Sequence, residues 1–296
     1  MRRWLCLLSL LFLGGIPAVA GTAEPEGPAT GRNLVVVFDL RDPSGGGEAA
    51  VEYLFGRLLR PGDRLIIRSP QRFYSFSAAT LAGPRGKLID DMKEKLRSDI
   101  SRASQDYRQA IEEMTGIVRG IENNVIGTVS DSESASLRSL FMRYGQCLSL
   151  LRQIGRTSSA SLREMADFFG DRSGRHHVIM VVERKTRPVP NRDTMNLLKD
   201  SPIFMMQANA LFTTDNPNPP FDVAAVGERY RQAPLKFHFL YVKPKGDSTT
   251  GDVFEESGDL YAAFRRLAET TGGVSDTAAE PLAGLMTVAE TLDRGD

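Results

Sequence analysis

Leu34-Val35-Val36-Val37-Phe38, closed by Asp39, is the stretch on which the fold turns. An unbroken run of β-branched and aromatic side chains reads as a strand buried on both faces of a parallel sheet. A polar, Gly-rich loop follows, Asp42-Pro43-Ser44-Gly45-Gly46-Gly47, and then a helix from Glu48 to Leu59 with Val51, Leu54, Phe55, Leu58 and Leu59 on one face. Arg60-Pro61-Gly62-Asp63 turns the chain into a second strand, Arg64 to Arg68, and Arg72 to Phe76 follows at hairpin distance. The pattern returns late in the chain. His177 to Val182 reads as another fully buried strand, and Leu235 to Val242 as the next strand, in which Phe237, Phe239 and Tyr241 alternate with Lys236, His238 and Leu240. A helix from Leu260 to Thr270 stops at Gly272-Gly273, and Pro281 to Leu292 reads as one more. Strands joined by helices in this order specify an α/β fold with a doubly wound, mostly parallel sheet, whose site lies at the carboxyl ends of the strands. Asp39 stands at such an end.

Between the two α/β stretches the period changes. Leu88, Met92, Leu96, Ile100, Ala103, Tyr107, Ala110, Met114, Ile117, Ile121 and Val125 recur at steps of three and four, a heptad-like seam. At about 1.5 Å per residue this makes a rod of roughly 60 Å. A polar break at residues 130 to 134 precedes a second apolar stripe from Leu137 to Ile154, and a helical hairpin buries one stripe against the other. Residues 33–85 and 156–296 thus form the core, and 86–155 a helical, coiled-coil insertion. The insertion reads as an arm for a partner protein or for self-association, or as a cover on the sheet. From Thr186 to Pro234 the chain reads as long, Pro-rich and irregular, with short helices near Asn196 to Lys199 and Val223 to Arg231.

The chain opens with Arg2-Arg3, an apolar core from Leu5 to Leu13, Gly14-Gly15, Pro17 and then Ala18-Val19-Ala20. That order is what a signal peptidase reads, so residues 1–20 are expected to be a cleaved export signal and 21–32 a linker. Roughly ten apolar residues fall short of the about 20 needed to cross a bilayer. A periplasmic or extracellular location follows. With Cys6 in the signal, Cys147 is left without an intramolecular partner; its place in an apolar helical stripe reads as a small buried hydrophobe, with an intermolecular disulfide or a reactive thiol as the alternatives. The 37 basic and 37 acidic residues balance, which gives no general affinity for nucleic acid or anionic membrane.

Several stretches resemble the von Willebrand factor A domain, in its exported bacterial branch. They are the strand ending in Asp39, the approach Leu59-Arg60-Pro61-Gly62-Asp63-Arg64, the short strand Phe73 to Ser77, the strand Arg175 to Val182, and Leu267-Ala268-Glu269-Thr270-Thr271-Gly272-Gly273. The resemblance implies a metal-ion-dependent adhesion site, in which Asp-x-Ser-x-Ser, a loop Thr and a later Asp hold Mg²⁺. Here the first motif reads Asp39-Leu40-Arg41-Asp42-Pro43, Thr157 stands for the loop Thr, and Glu183-Arg184-Lys185 occupies the third loop. A cation site needs converging oxygens and tolerates no fixed positive charge among them. We therefore expect a degenerate site at Asp39, Arg41, Asp42, Thr157, Glu183 and Arg184, with no metal and no cofactor, in which Arg41 or Arg184 pairs with Asp39.

No nucleophile elbow, phosphate-binding loop, dinucleotide fingerprint or Cys/His metal spacing is present in the sequence. Of the three histidines, His176 and His177 are expected to face solvent at the amino edge of a strand, and His238 to be half-exposed. The chain reads as a non-enzymatic interaction module. Alternatives are an envelope assembly factor that self-associates through its coiled arm, or a hydrolase using Asp39 and a His.

Overall fold

The computed structural model describes residues 31–125, 131–154, 159–169, 174–200, 202–213, 221–243, 252–256 and 258–294. The expected signal peptide, all of the linker before residue 31, and Thr157 lie outside them. Among the described residues six strands form the main sheet: β1 (Arg32–Asp39), β2 (Arg64–Arg68), β3 (Phe73–Phe76), β4 (Arg175–Glu183), β6 (Leu235–Val242) and β8 (Ser275–Ala278). Their order is β3-β2-β1-β4-β6-β8, with only β3 antiparallel to its neighbour. Counted within the sheet this is 3-2-1-4-5-6, the order of the doubly wound fold, and the reversal falls between β1 and β4. Asp39 pairs with Val182 at that reversal, so the topology places it in the crevice.

Helices cover both faces. One face carries α1 (Gly47–Tyr53, continued by a π turn over Leu54–Leu58), α2 (Ala78–Ala82), the first half of α3 (Arg85–Val125) and α10 (Pro281–Arg294), enclosing Val36, Phe38, Ile179, Val181, Leu240 and Val242. The other carries α5 (Ser159–Phe169), α8 (Val223–Gln232) and α9 (Gly258–Thr271), enclosing Val35, Val37, Val178, Met180, Phe237 and Phe239. With both faces dry, alternation along β6 does not mean exposure. His238 is wholly buried, and His176 and His177 are about as buried as their apolar neighbours, contrary to the exposure expected for all three. β4 is an interior strand, and its amino end is closed by ring stacking of His176 on Phe169 and of His177 on His238.

The helical region is divided between two cores. Met92, Leu96 and Ile100 of α3 pack into the sheet core, whereas Ala110, Met114, Ile117 and Ile121 pack against Leu137, Phe141, Tyr144 and Leu148 of α4 (Asp131–Ile154). The stretch expected to be irregular supplies the rest of this second core. It holds β5 (Thr186–Val189), α6 (Arg192–Lys199) and α7 (Pro202–Ala208, continued by a π turn over Asn209–Thr213), whose Leu198, Phe204, Ala208 and Phe212 complete the cluster. β5 pairs antiparallel with β7 (Asp252–Glu255) as a separate ribbon. The sequence shows neither β7 nor β8, because four-residue strands of mixed polarity carry no period.

One turn is tightly specified. Gly272 ends α9 in the left-handed region at φ +70°, and a Cβ on Gly273 would fall 1.8 Å from the Phe237 carbonyl oxygen. That contact is with central-strand backbone and has no flexible side chain to yield. Gly273→Ala is expected to destabilise the fold by about 3 kcal/mol, read from the urea midpoint. A variant within a few tenths of wild type would mean that α9 and β6 are not this close.

Candidate functional site

The site is built where β1 and β4 end. Asp39 is the last residue of β1, and both of its carboxylate oxygens are taken: Arg41 Nη2 donates to one at 2.8 Å and Lys185 Nζ to the other at 2.8 Å. The Asp39 side chain is 23% exposed and that of Lys185 9%. Burial works to raise the Asp39 pKa, but the Lys185 and Arg41 charges, with help from Arg68, outweigh it and bring it down to about 2. Burial pulls Lys185 the other way, below the usual lysine range, against the Asp39 charge that supports it. The carboxylate is therefore ionised at neutral pH and answered by fixed cations of the same chain.

A second carboxylate holds the loop. Glu183 ends β4, and its Oε2 accepts the backbone N–H groups of Arg41 at 2.5 Å and Asp42 at 3.0 Å. Burial raises its pKa even though those two bonds favour the ion. Asp42 turns outward and folds the loop on itself, with Oδ1 accepting from the Ser44 N–H at 2.8 Å and hydroxyl at 2.6 Å. Such Asx turns stabilise a loop locally without drawing on the sheet.

Helix α3 clamps the same loops from above. Ser104 Oγ lies 2.5 Å from the Arg41 carbonyl oxygen, the Arg41 guanidinium sits 5.7 Å from the Tyr107 ring centre, and the Tyr107 hydroxyl donates to the Thr186 carbonyl at 2.9 Å. The insertion thus fixes the geometry of the crevice. A hub beside it ties the ribbon to the helical half. Arg187 is fully buried, pairs with Glu256, donates to the Tyr144 hydroxyl at 2.6 Å and lies 4.4 Å from the Phe254 ring centre.

Of the residues expected at the site, the structure brings together Asp39, Arg41 and Glu183, and it places Asp42 in the same loop by its backbone. Arg184 is turned away: its Nε donates to Glu255 at 3.1 Å, and the cation that meets Asp39 is Lys185. Strand alternation does not account for this, because Asp39 pairs with Val182 and period two would put Arg184 on their side; β4 ends at Glu183, and the chain leaves the strand so that Lys185 turns in. Period two, carried two residues past Val182, points to Arg184, so the sequence held no signal for Lys185. Ser104, Tyr107 and Arg68 had none, since each reaches the site from a distant segment. All three histidines lie at the opposite edge. His177 is five positions before Val182, the partner of Asp39, which is roughly 16 Å along the strand. No group of three or more His, Cys, Asp or Glu side chains with metal-binding spacing occurs among the described residues.

Fold and site together define a doubly wound α/β domain whose switch-point crevice holds a carboxylate neutralised from within. No protein-family profile matches the chain, and no curated protein is similar to it. Among solved structures, the chain is similar to an aerotolerance-related membrane protein from Bacteroides fragilis NCTC 9343, crystallised with multiple mutations to serines. The identity is 8% and the TM-score 0.39, over 89% of this chain and 99% of that one. At that score the likeness supports no argument, and the fold assignment rests on strand order and pairing. No helix among the described residues is long and apolar enough to cross a membrane.

Proposed function

We propose that the chain is an exported, non-enzymatic interaction module, in which the Lys185 ammonium and the Arg41 guanidinium hold the place that a bound cation has in the von Willebrand factor A domain. The observation that carries this reading is the engagement of both Asp39 oxygens by the chain's own cations. A divalent ion would have to displace two short charge-assisted bonds and sit beside two positive charges. Ligand capture through a shared metal is then closed to this crevice, and binding falls to other surfaces. The absence of a catalytic mechanism is supported by the separation of Asp39 from every histidine.

The surface distribution favours the helical half as the partner-facing one. Of seven exposed large hydrophobics among the described residues, five lie there: Met142, Leu150, Leu197, Met205 and Met206. Unbranched Met side chains adapt to varied partners. Self-association through the same half is the second reading, and light scattering on the mature protein separates it from capture of a different protein. Calorimetry tests the site. Titration with Mg²⁺ or Mn²⁺ is expected to give no heat of binding. Micromolar affinity that vanishes in Asp39→Ala would overturn the metal-free reading, and turnover of generic ester or phosphate substrates would overturn the non-enzymatic one.

A further inference from the structure

At the amino edge of the sheet, opposite the Asp39 crevice, a cleft of about 260 Å³ opens between the starts of β4 and β6 and the end of α10. Its walls include Arg175, His177, Lys236 and His238. The two histidines form one end of a hydrogen-bond relay whose direction can be worked out. The Val274 backbone N–H donates to His238 Nδ1 at 3.2 Å, so that nitrogen is an acceptor and carries no proton. A neutral imidazole has one N–H, which must then be on Nε2 of His238. Nε2 lies 3.2 Å from His177 Nδ1 and donates to it. The same reasoning passes along the relay: His177 Nδ1 is an acceptor, and its proton is on Nε2. That last N–H, on a residue 4% exposed, has no hydrogen-bond partner among the described residues.

A buried donor left unmade costs about 1–3 kcal/mol, so an unpaired donor on a residue that lines a cleft calls for an acceptor, which reaches it through a small opening of the wall because the Nε2 atom itself is closed to solvent. The relay also says which ligand chemistry suits it. A metal ion needs the lone pair of an imidazole nitrogen, and on His177 Nε2 the relay puts a proton there instead. The Arg175 and Lys236 side chains repel cations and favour negative charge. We propose that this cleft binds a small oxyanion, a carboxylate or phosphate group, whose oxygen accepts the His177 Nε2–H while Lys236 and Arg175 supply the opposing charge. Burial, followed by the neighbouring positive charges, keeps both rings neutral at pH 7, which the relay requires. The site is independent of the Asp39 crevice and of the interaction surface.

Long-range proton–nitrogen NMR of the mature protein at pH 7.5 reads the relay directly. Inorganic phosphate and acetate are titrated separately, against sodium chloride at equal ionic strength. The expected result is that the His177 Nε2–H signal moves with phosphate or acetate and not with chloride, while the His238 tautomer is unchanged. Lys236→Gln and Arg175→Gln replace exposed side chains and leave the buried pair in place. Together they are expected to weaken the response about tenfold or more. An Nε2 of His177 found unprotonated, no response to either anion, an equal response to chloride, or an unaltered response in the double variant would each overturn the proposal.

Discussion

Lys185→Met is expected to lower the stability of the fold by about 3 kcal/mol at pH 7, because it leaves Asp39 largely desolvated beside one cation instead of two. The lysine side chain is 9% exposed and that of Asp39 23%, so screening by water is incomplete, and the lower end of the range for broken buried pairs applies. Urea unfolding measures the loss as a fall in midpoint at constant slope. The triple variant Asp39→Leu, Arg41→Leu and Lys185→Met removes all three charges and is expected to recover most of the stability, since the cost lies in the orphaned ion. A single variant within about 1 kcal/mol of wild type would mean the pair is worth no more than a solvated one. The effect also has an acid limit. The Asp39 pKa is lower in the folded chain, about 2 against an ordinary 3.8, so its contribution is complete above about 4 and is lost as pH falls towards 2.

The second large effect belongs to the histidine pair and sets in at milder acidity. His177 and His238 are held down to about 3 and about 4 from an ordinary 6.5, first by burial, then for His177 by His238, Lys236, Arg32 and His176, and for His238 by Lys236. The sign follows from the direction. The unfolded chain takes up protons below pH 6.5 that the native rings refuse, so stability is unaffected above that pH and falls as pH drops towards 4. Two such groups together remove on the order of 5 kcal/mol over that window, a large share of a typical domain's total. Unfolding free energy measured from pH 7.5 to pH 4 is expected to decline with uptake of about two protons near pH 5. Titration of either ring with a midpoint near 6.5 in the folded protein would remove the basis for this decline.

The helical insertion shows how far reading by period goes. Its seam from Leu88 to Val125 is legible, and the structure has a helix there, yet the same stripe serves two different cores. Met92 and Ile100 meet the sheet, while Met114 and Ile121 meet α4, α6 and α7. A helical period reports which side of a helix is apolar and says nothing of what covers it. The crevice repeats the pattern. Asp39, Arg41 and Glu183 stand out because each ends or follows a buried run, but the choice of Lys185 over Arg184 depends on how β4 continues beyond its last apolar residue. Ser104 and Tyr107 look like ordinary polar and seam positions until α3 is laid across the loops.

What the sequence by itself determined was the class of fold and the position of its crevice. Continuous apolar runs at Leu34–Phe38 and Val178–Val182 can be satisfied only inside a sheet covered on both faces, and alternation with helices makes that sheet parallel. Tertiary structure alone decided which charges answer Asp39, where the histidines lie and how the 186–213 segment is used. Lys185 reaches Asp39 across 146 residues, and His177 reaches His238 across 61. Hydrophobic period is a local property of the chain and survives in any window of sequence. A hydrogen bond or ion pair between distant residues depends on strand order and register, which exist only once the sheet has assembled.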